Sequence, residues 1–263
     1  MLKQELAVEK ISQSLRTDPL VRAIFLKGSM GRNEHDQFSD VDLYCLVNRE
    51  NQELFLQNRV KHLEAYRPII FQDSIHIIAP QIIAVYDDLL HIDLFTVTLE
   101  DFPKKDFFKI IDDPDNLLES LTQTQGLTIS YEQYRDDVID TAWFLFQYKK
   151  SADRGNHIWS VRMLTNVIEH LSRVLLYKYK PARAQLGIKA LHSSLPTSIK
   201  LRIEEILNHV TVQHHPNAVI LLCELLEKEY DFIMDSLQDK SIAEPLMNHM
   251  ITYYITKKKL YPN

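Results

Sequence analysis

Two short runs hold the residues whose types and spacing could do chemistry: Gly28-Ser29-Met30-Gly31-Arg32 and, shortly after, Ser39-Asp40-Val41-Asp42-Leu43. Gly28 and Gly31 are two of only five glycines in the chain. Glycine permits close backbone approach and positive φ, both of which a phosphate-cradling turn needs. Ser29 places a hydroxyl donor at the tip of that turn, and a short helix behind it would turn N–H groups towards an anion. Asp40 and Asp42 stand two positions apart at a predicted strand, so they share one face. Two such carboxylates repel unless a proton or a cation neutralises them. Mg²⁺ suits the pair, being a hard cation that takes carboxylate oxygens together with phosphate oxygens. The combination points to chemistry on a nucleoside triphosphate. It is not a Walker loop, since no Gly-Lys-Ser/Thr follows the turn, and no G-x-G-x-x-G fingerprint is present.

A third carboxylate lies downstream. Gln81 to Tyr86 and Leu89 to Val97 read as two strands joined by a tight acidic turn at Asp87-Asp88. Asp93 is the only acid inside the second strand, between apolar Ile92 and Leu94. A lone buried carboxylate is costly; a metal shared with Asp40 and Asp42 would account for it, and so would a strand that is solvated on its Asp93 side. His91 lies on the same face and reads as a polar strand residue rather than a ligand.

The stretch from Gly28 to Leu43, with the later Asp93, resembles the DNA polymerase β-like nucleotidyltransferase superfamily. It is similar in particular to the antibiotic nucleotidyltransferases that modify aminoglycosides and lincosamides. The resemblance spans roughly residues 20–98. It implies a small mixed sheet with helices on one side, with Gly28 and Ser29 holding the triphosphate and Arg32 reaching the phosphates. It also implies that Asp40, Asp42 and Asp93 bind Mg²⁺, two ions in all, and serve as the catalytic carboxylates. Asp36 stands where some antibiotic-modifying members carry an acid and receives no role. The reaction implied is transfer of a nucleoside monophosphate, AMP from ATP foremost, to a hydroxyl of a small molecule. In such reactions positioning and charge neutralisation dominate.

Composition constrains the acceptor. The formal net charge is −6 over 263 residues, so no nucleic-acid footprint is evident. A small-molecule acceptor is therefore expected, with no nucleic acid and no membrane. Lys257-Lys258-Lys259 is the only notable basic run, and a solvated helix end accounts for it. Cys45 and Cys223 are expected as buried free thiols. No secretory signal or span of about 20 apolar residues is seen, so the expected location is the cytoplasm, as a monomer or homodimer.

The elements that must position these residues follow from periodicity. Residues 1–16 suit an amphipathic helix, Val21 to Leu26 and Val41 to Val47 suit strands, and Arg49 to Tyr66 suits a second helix. Pro68 to Phe71 returns to the sheet, and Asp73-Ser74 is read as a turn into a further strand, Ile75 to Ile78. The polar cluster Asp112 to Asn116 marks a boundary. Beyond it come five predicted helices: Tyr131–Ala152, His157–Tyr179, Ser198–Val210, Pro216–Leu237 and Ile242–Leu260. On the second, Ile158, Val161, Leu164, Ile168, Leu171 and Leu175 track one face. Trp143, Trp159 and the tyrosines are assigned to the bundle core, and His214-His215 to a loop. Glu169 and His170 are adjacent on a helix and point apart. The expected fold class is thus an α/β (α+β) nucleotidyltransferase domain with a mixed sheet over 1–112, a linker over 113–126, and an all-α helical bundle over 127–263.

That layout implies an acceptor cleft, with acids that hold a cationic drug or act as base. Asp136, Asp137 and Asp140 lie at the start of the first bundle helix. Asp137 and Asp140 share a face at i and i+3 and are the candidate general bases; a solvated, dipole-complementing helix start explains the same acids. Two other readings stay open: nucleotidyl transfer to a protein, as in antitoxin-like nucleotidyltransferases, and a non-catalytic nucleotide-binding module. A missing aspartate would signal the latter, and none is missing.

Overall fold

The computed structural model describes residues 1–103 and 105–260, with Thr124 described by its backbone only. The chain divides into two compact units, Met1–Gly126 and Leu127–Asn263.

The first unit is a six-stranded sheet. Its strands are β1 (Val21–Leu26), β2 (Val41–Val47), β3 (Ile69–His76), β4 (Pro80–Tyr86), β5 (His91–Val97) and β6 (Lys109–Asp112), in the order β3-β4-β5-β2-β1-β6. The sheet is mixed: β2 and β5 run parallel, and the other pairs are antiparallel. Alternation assigns each strand's side chains to two faces. Val41, Leu43, Ile92 and Leu94 join a core with Ala7, Ile11 and Leu15 of helix α1 (Lys3–Arg16) and with Phe55 and Leu63. Tyr44, Phe95, Phe25 and Val97 fill the opposite face beneath Phe102, Phe108 and Leu118. There Tyr44 stacks on Phe95 with ring centroids 4.3 Å apart.

A one-turn helix, α2 (Gly28–Gly31), follows β1 directly. The helix expected over Arg49 to Tyr66 is broken into a 3₁₀ turn (Arg49–Asn51), α3 (Gln52–Asn58) and α4 (Val60–Leu63). The break falls at Arg59, whose buried guanidinium donates to the carbonyls of Pro80 and Gln81 on β4. The turn expected at Asp73-Ser74 does not form. Both residues pair with β4, Asp73 opposite Ile83 and Ser74 opposite Ile82; on an edge strand polar side chains meet water, so polarity there does not break the ladder. No strand is expected over β6, which ends at Asp112, the first residue of the polar cluster, and pairs with β1. Asp113 accepts from the backbone N–H groups of Leu117 and Leu118, and Leu118 is fully buried.

The second unit is helical: α5 (Tyr131–Asp153), α6 (His157–Tyr179), a 3₁₀ segment (Pro181–Ala190), α7 (Leu191–Ser194), α8 (Thr197–Asn208), α9 (His215–Asp235) and α10 (Glu244–Leu260). Ser130 and Asn156 cap α5 and α6 by accepting from the N–H groups of Gln133 and Trp159. Two core assignments change. Trp143 and Trp159 are 47% and 52% exposed, because the buried stripe of α5 runs through Tyr134, Val138, Leu145 and Tyr148, and that of α6 starts at Ser160. Ile158 is exposed for the same reason, two positions before that stripe. Tyr134, Tyr148 and Tyr254 are buried, and both cysteines are free and buried. No helix among the described residues is long and apolar enough to cross a membrane.

Candidate functional site

The apolar strand β1 delivers the chain into the glycine turn. Lys27 is extended and Gly28 has φ +59°. Both glycines of the motif are required by close approach. A Cβ on Gly28 would lie 1.9 Å from Asp42 Oδ2, and one on Gly31 would lie 2.8 Å from the Leu26 carbonyl and 3.0 Å from that of Phe107. The Lys27 N–H donates to the Asp42 carbonyl at 3.0 Å, which fixes the turn against β2. Ser29 Oγ is buried and has no hydrogen-bond partner. Leaving a buried hydroxyl without a partner costs about 1–3 kcal/mol.

The parallel pairing of β2 with β5 sets Asp42 directly beside Asp93. Both lie on the face of the Tyr44–Phe95 stack, away from α1. Asp40 immediately precedes β2 and is exposed. Burial pushes the Asp42 carboxyl up to about 6, and the negative charges of Asp40, Asp93 and Asp106 push in the same direction, opposed by His91. His91 Nε2 lies 3.0 Å from Asp93 Oδ1. That bond raises the imidazole's pKa, so His91 is a partner of Asp93 on the shared face. Among the described residues, no three or more His, Cys, Asp or Glu side chains close around a point as a metal cluster. What the fold brings together is a carboxylate pair, Asp93 buried and Asp42 half-buried, with Asp40 and Asp106 adding their charge. Oxygen donors with unrelieved negative charge suit a hard divalent cation.

Arg32 is committed within the unit. Its guanidinium donates to Glu34 Oε2 at 2.9 Å and to Asp106 Oδ2 at 2.7 Å. Asp36 builds the loop ahead of the aspartates: its carboxylate accepts from the Phe38 N–H and the Ser39 hydroxyl.

Two further groups, Lys27 and Asp106, join the site without standing in either motif. Lys27 is buried, and its ammonium donates to the carbonyls of Pro103 at 3.0 Å and Lys105 at 2.6 Å, tying the loop after β5 to the glycine turn. Burial pulls its pKa down to about 8, and Asp106 and Asp42 oppose that. A lysine closing an apolar run just before Gly-Ser was the available signal. Asp106 had none, since it arrives from a distant loop with φ +69°.

In the helical unit, the two candidate bases differ. Asp137 has no exposure. It accepts from Arg173 Nε at 2.8 Å and Nη2 at 2.6 Å, and it lies 2.9 Å from His170 Nδ1. Burial pushes its carboxyl up, but these bonds outweigh burial and hold it below the usual carboxylate range. Asp140 keeps a 43% exposed side chain, 3.6 Å from His170.

Residues 8–86 match the model of the nucleotidyltransferase domain. The match covers Gly28, Ser29, Arg32, Asp40 and Asp42 and ends before Asp93. No curated protein matches the chain. Among solved structures, the chain is similar to an aminoglycoside 6-adenyltransferase from Bacillus subtilis (12% identity, 97% of this chain and 99% of that one, TM-score 0.41). It is also similar to a nucleotidyltransferase-like protein from Exiguobacterium sibiricum 255-15 (14% identity, 96% and 91%, TM-score 0.31). A third is a STING-associated CdnE c-di-GMP synthase from Capnocytophaga granulosa (12% identity, 98% and 81%, TM-score 0.33). At these identities and TM-scores the likenesses carry no argument about the acceptor.

Proposed function

We propose that this chain, whose residues 8–86 match the nucleotidyltransferase domain, transfers AMP from ATP to a hydroxyl of a small molecule and releases pyrophosphate. The observation that carries this reading is the Asp42–Asp93 pair set in register beside the bare backbone of Gly28. Asp40, Asp42 and Asp93 are the groups that would hold Mg²⁺; the pKa of Asp42 is raised by burial and then by its acidic neighbours, and a cation would relieve both. When bound, the metal supplies charge neutralisation at the phosphates.

The protein's own groups do the rest. Gly28 leaves room for the triphosphate to approach the main chain. Ser29 donates its unpartnered hydroxyl to a phosphate oxygen. Arg32 holds Asp106 and Glu34 in place and adds positive charge near the turn without leaving them. The acceptor oxygen forms a bond to the α-phosphorus as the bond to pyrophosphate breaks, and the hydroxyl proton passes to a base. Asp140 fits that base better than Asp137, whose lone pairs are taken by Arg173 and His170.

The acceptor class rests on the motif's similarity to antibiotic nucleotidyltransferases and on the negative net charge. An aminoglycoside or lincosamide is the specific expectation. The test is pyrophosphate release from ATP and Mg²⁺ across a panel of such acceptors. Turnover that is absent from Asp42→Asn supports the reading. Label from ATP appearing on protein instead would replace the small-molecule acceptor, and tight ATP binding with no turnover on any acceptor would overturn transfer altogether.

A further inference from the structure

The helical unit contains a cavity of about 660 Å³ that the nucleotidyl-transfer reading does not use. It opens where the α5–α6 turn, the start of α9 and the second half of α10 meet. Drug-sized ligands occupy cavities of roughly 300–1,000 Å³. The cavity's apolar surface comes from Val219, Ile220 and Leu221 and from the rings of Tyr253 and Tyr254.

A hydrogen-bonded chain ends at its wall. Tyr148 Oη lies 3.1 Å from the His215 carbonyl and 2.8 Å from His215 Nδ1. A carbonyl only accepts, so the single phenolic proton goes there and His215 Nδ1–H donates to Tyr148 Oη. His215 is buried, and burial together with His157 lowers its pKa; with Nδ1–H donated to Tyr148, Nε2 of the neutral ring is the acceptor. That atom lies 2.9 Å from His157 Nδ1, which must therefore carry a proton. His157 is thus held in one orientation, with Nε2 left for the cavity. Adding a proton at Nε2 disturbs no bond in the chain: an imidazolium His157 still donates to His215 and gains a second donor.

The charges around the cavity are mostly cancelled. Asp153 is taken by Lys149 at 2.5 Å, Glu205 by Arg202 at 2.6 Å, and Lys258 by Glu224. His209 bonds the Glu205 carbonyl through Nδ1. Among the described residues, Lys257 has no carboxylate partner, so the uncommitted charge of the wall is positive.

We propose that this cavity binds an organic anion with an apolar or aromatic body, its carboxylate anchored by His157, which takes up a proton at Nε2 as the anion binds, and drawn by Lys257. The body lies on the Tyr253–Tyr254 and Val219–Leu221 surface. The neutral His215 behind His157 serves to orient it and to accept its Nδ1 proton.

The test uses the full chain and a matched pair of probes, phenylbutyrate and its uncharged amide, by titration calorimetry. The carboxylate binds, the amide binds roughly tenfold or more weakly, and His157→Gln loses a similar factor for the carboxylate alone, the size expected of a charge-assisted bond. Equal binding of acid and amide, unchanged binding in His157→Gln, or no binding of phenylbutyrate at millimolar concentration each overturns the proposal. Lys257→Gln, in the last turn of α10, gives the same reading if the His157 variant misfolds by circular dichroism. Because the readout is binding in the absence of ATP, its failure leaves nucleotidyl transfer untouched.

Discussion

Asp42 and Asp93 are direct neighbours on parallel strands, and the carboxylate of Asp42 fills the space that any side chain at position 28 would need. One pairing register therefore couples three parts of the chain: the glycine turn, the D-x-D strand and the lone aspartate sixty-odd positions after the turn.

Burial of Asp42, together with the acids crowded around it, is expected to cost stability when no metal is bound. Its folded pKa of about 6 lies above the ordinary 3.8, so the folded state keeps a proton that the unfolded chain releases. Stability of the EDTA-treated protein falls as pH rises from about 4 through 6 and stays lower above that. Asp42→Asn removes this loss, which amounts to at most about 3 kcal/mol, and abolishes turnover. Melting temperatures of both proteins, followed from about pH 4 to about 8, check it: curves that stay parallel contradict the raised pKa.

Gly28→Ala is expected to fail on two counts. The position has φ +59°, and the new methyl would displace Asp42 Oδ2. Loss of about 1–2 kcal/mol of stability should accompany a much larger fall in kcat. An alanine variant with full activity would show that Asp42 need not hold its place.

Ser29→Ala separates ligand binding from folding. The hydroxyl has no partner in the protein, so its removal should leave the melting temperature level or slightly higher. KM for ATP should rise roughly tenfold, as for one lost hydrogen bond to a charged group. A stability loss with unchanged KM would place the hydroxyl in the fold instead.

The two acids of α5 should part company. Asp137→Asn leaves the half-buried Arg173 without its bidentate partner and a fully buried site without its charge, and should cost about 3 kcal/mol. Because the Asp137 pKa is lowered in the fold, its contribution is present above the unfolded carboxylate pKa and is lost as pH falls through the folded one. Asp140→Asn should leave stability within about 0.5 kcal/mol and lower kcat by about 10²–10⁴-fold. Denaturant midpoints and steady-state rates of the two variants distinguish these outcomes.

Much of this was legible in the sequence wherever the physics is local. The i, i+2 spacing of Asp40 and Asp42, the apolar run into Gly28 and the 3.6-residue periodicity of α5, α6 and α9 depend on neighbours in the chain, and β1, β2 and α6 fall where they were expected. Tertiary contact decided the rest. Asp73 and Ser74 look like turn residues until β4 pairs with them. Trp143 and Trp159 look like core until the neighbouring helices choose a different stripe. Lys27 is a surface-type residue until two loop carbonyls and burial enclose it. The sequence by itself determined that a glycine turn, a paired carboxylate and a lone strand aspartate exist. Only the parallel register of β2 with β5 set Asp42 beside Asp93, because strand pairing joins residues by hydrogen-bond geometry across the sheet, irrespective of their separation along the chain.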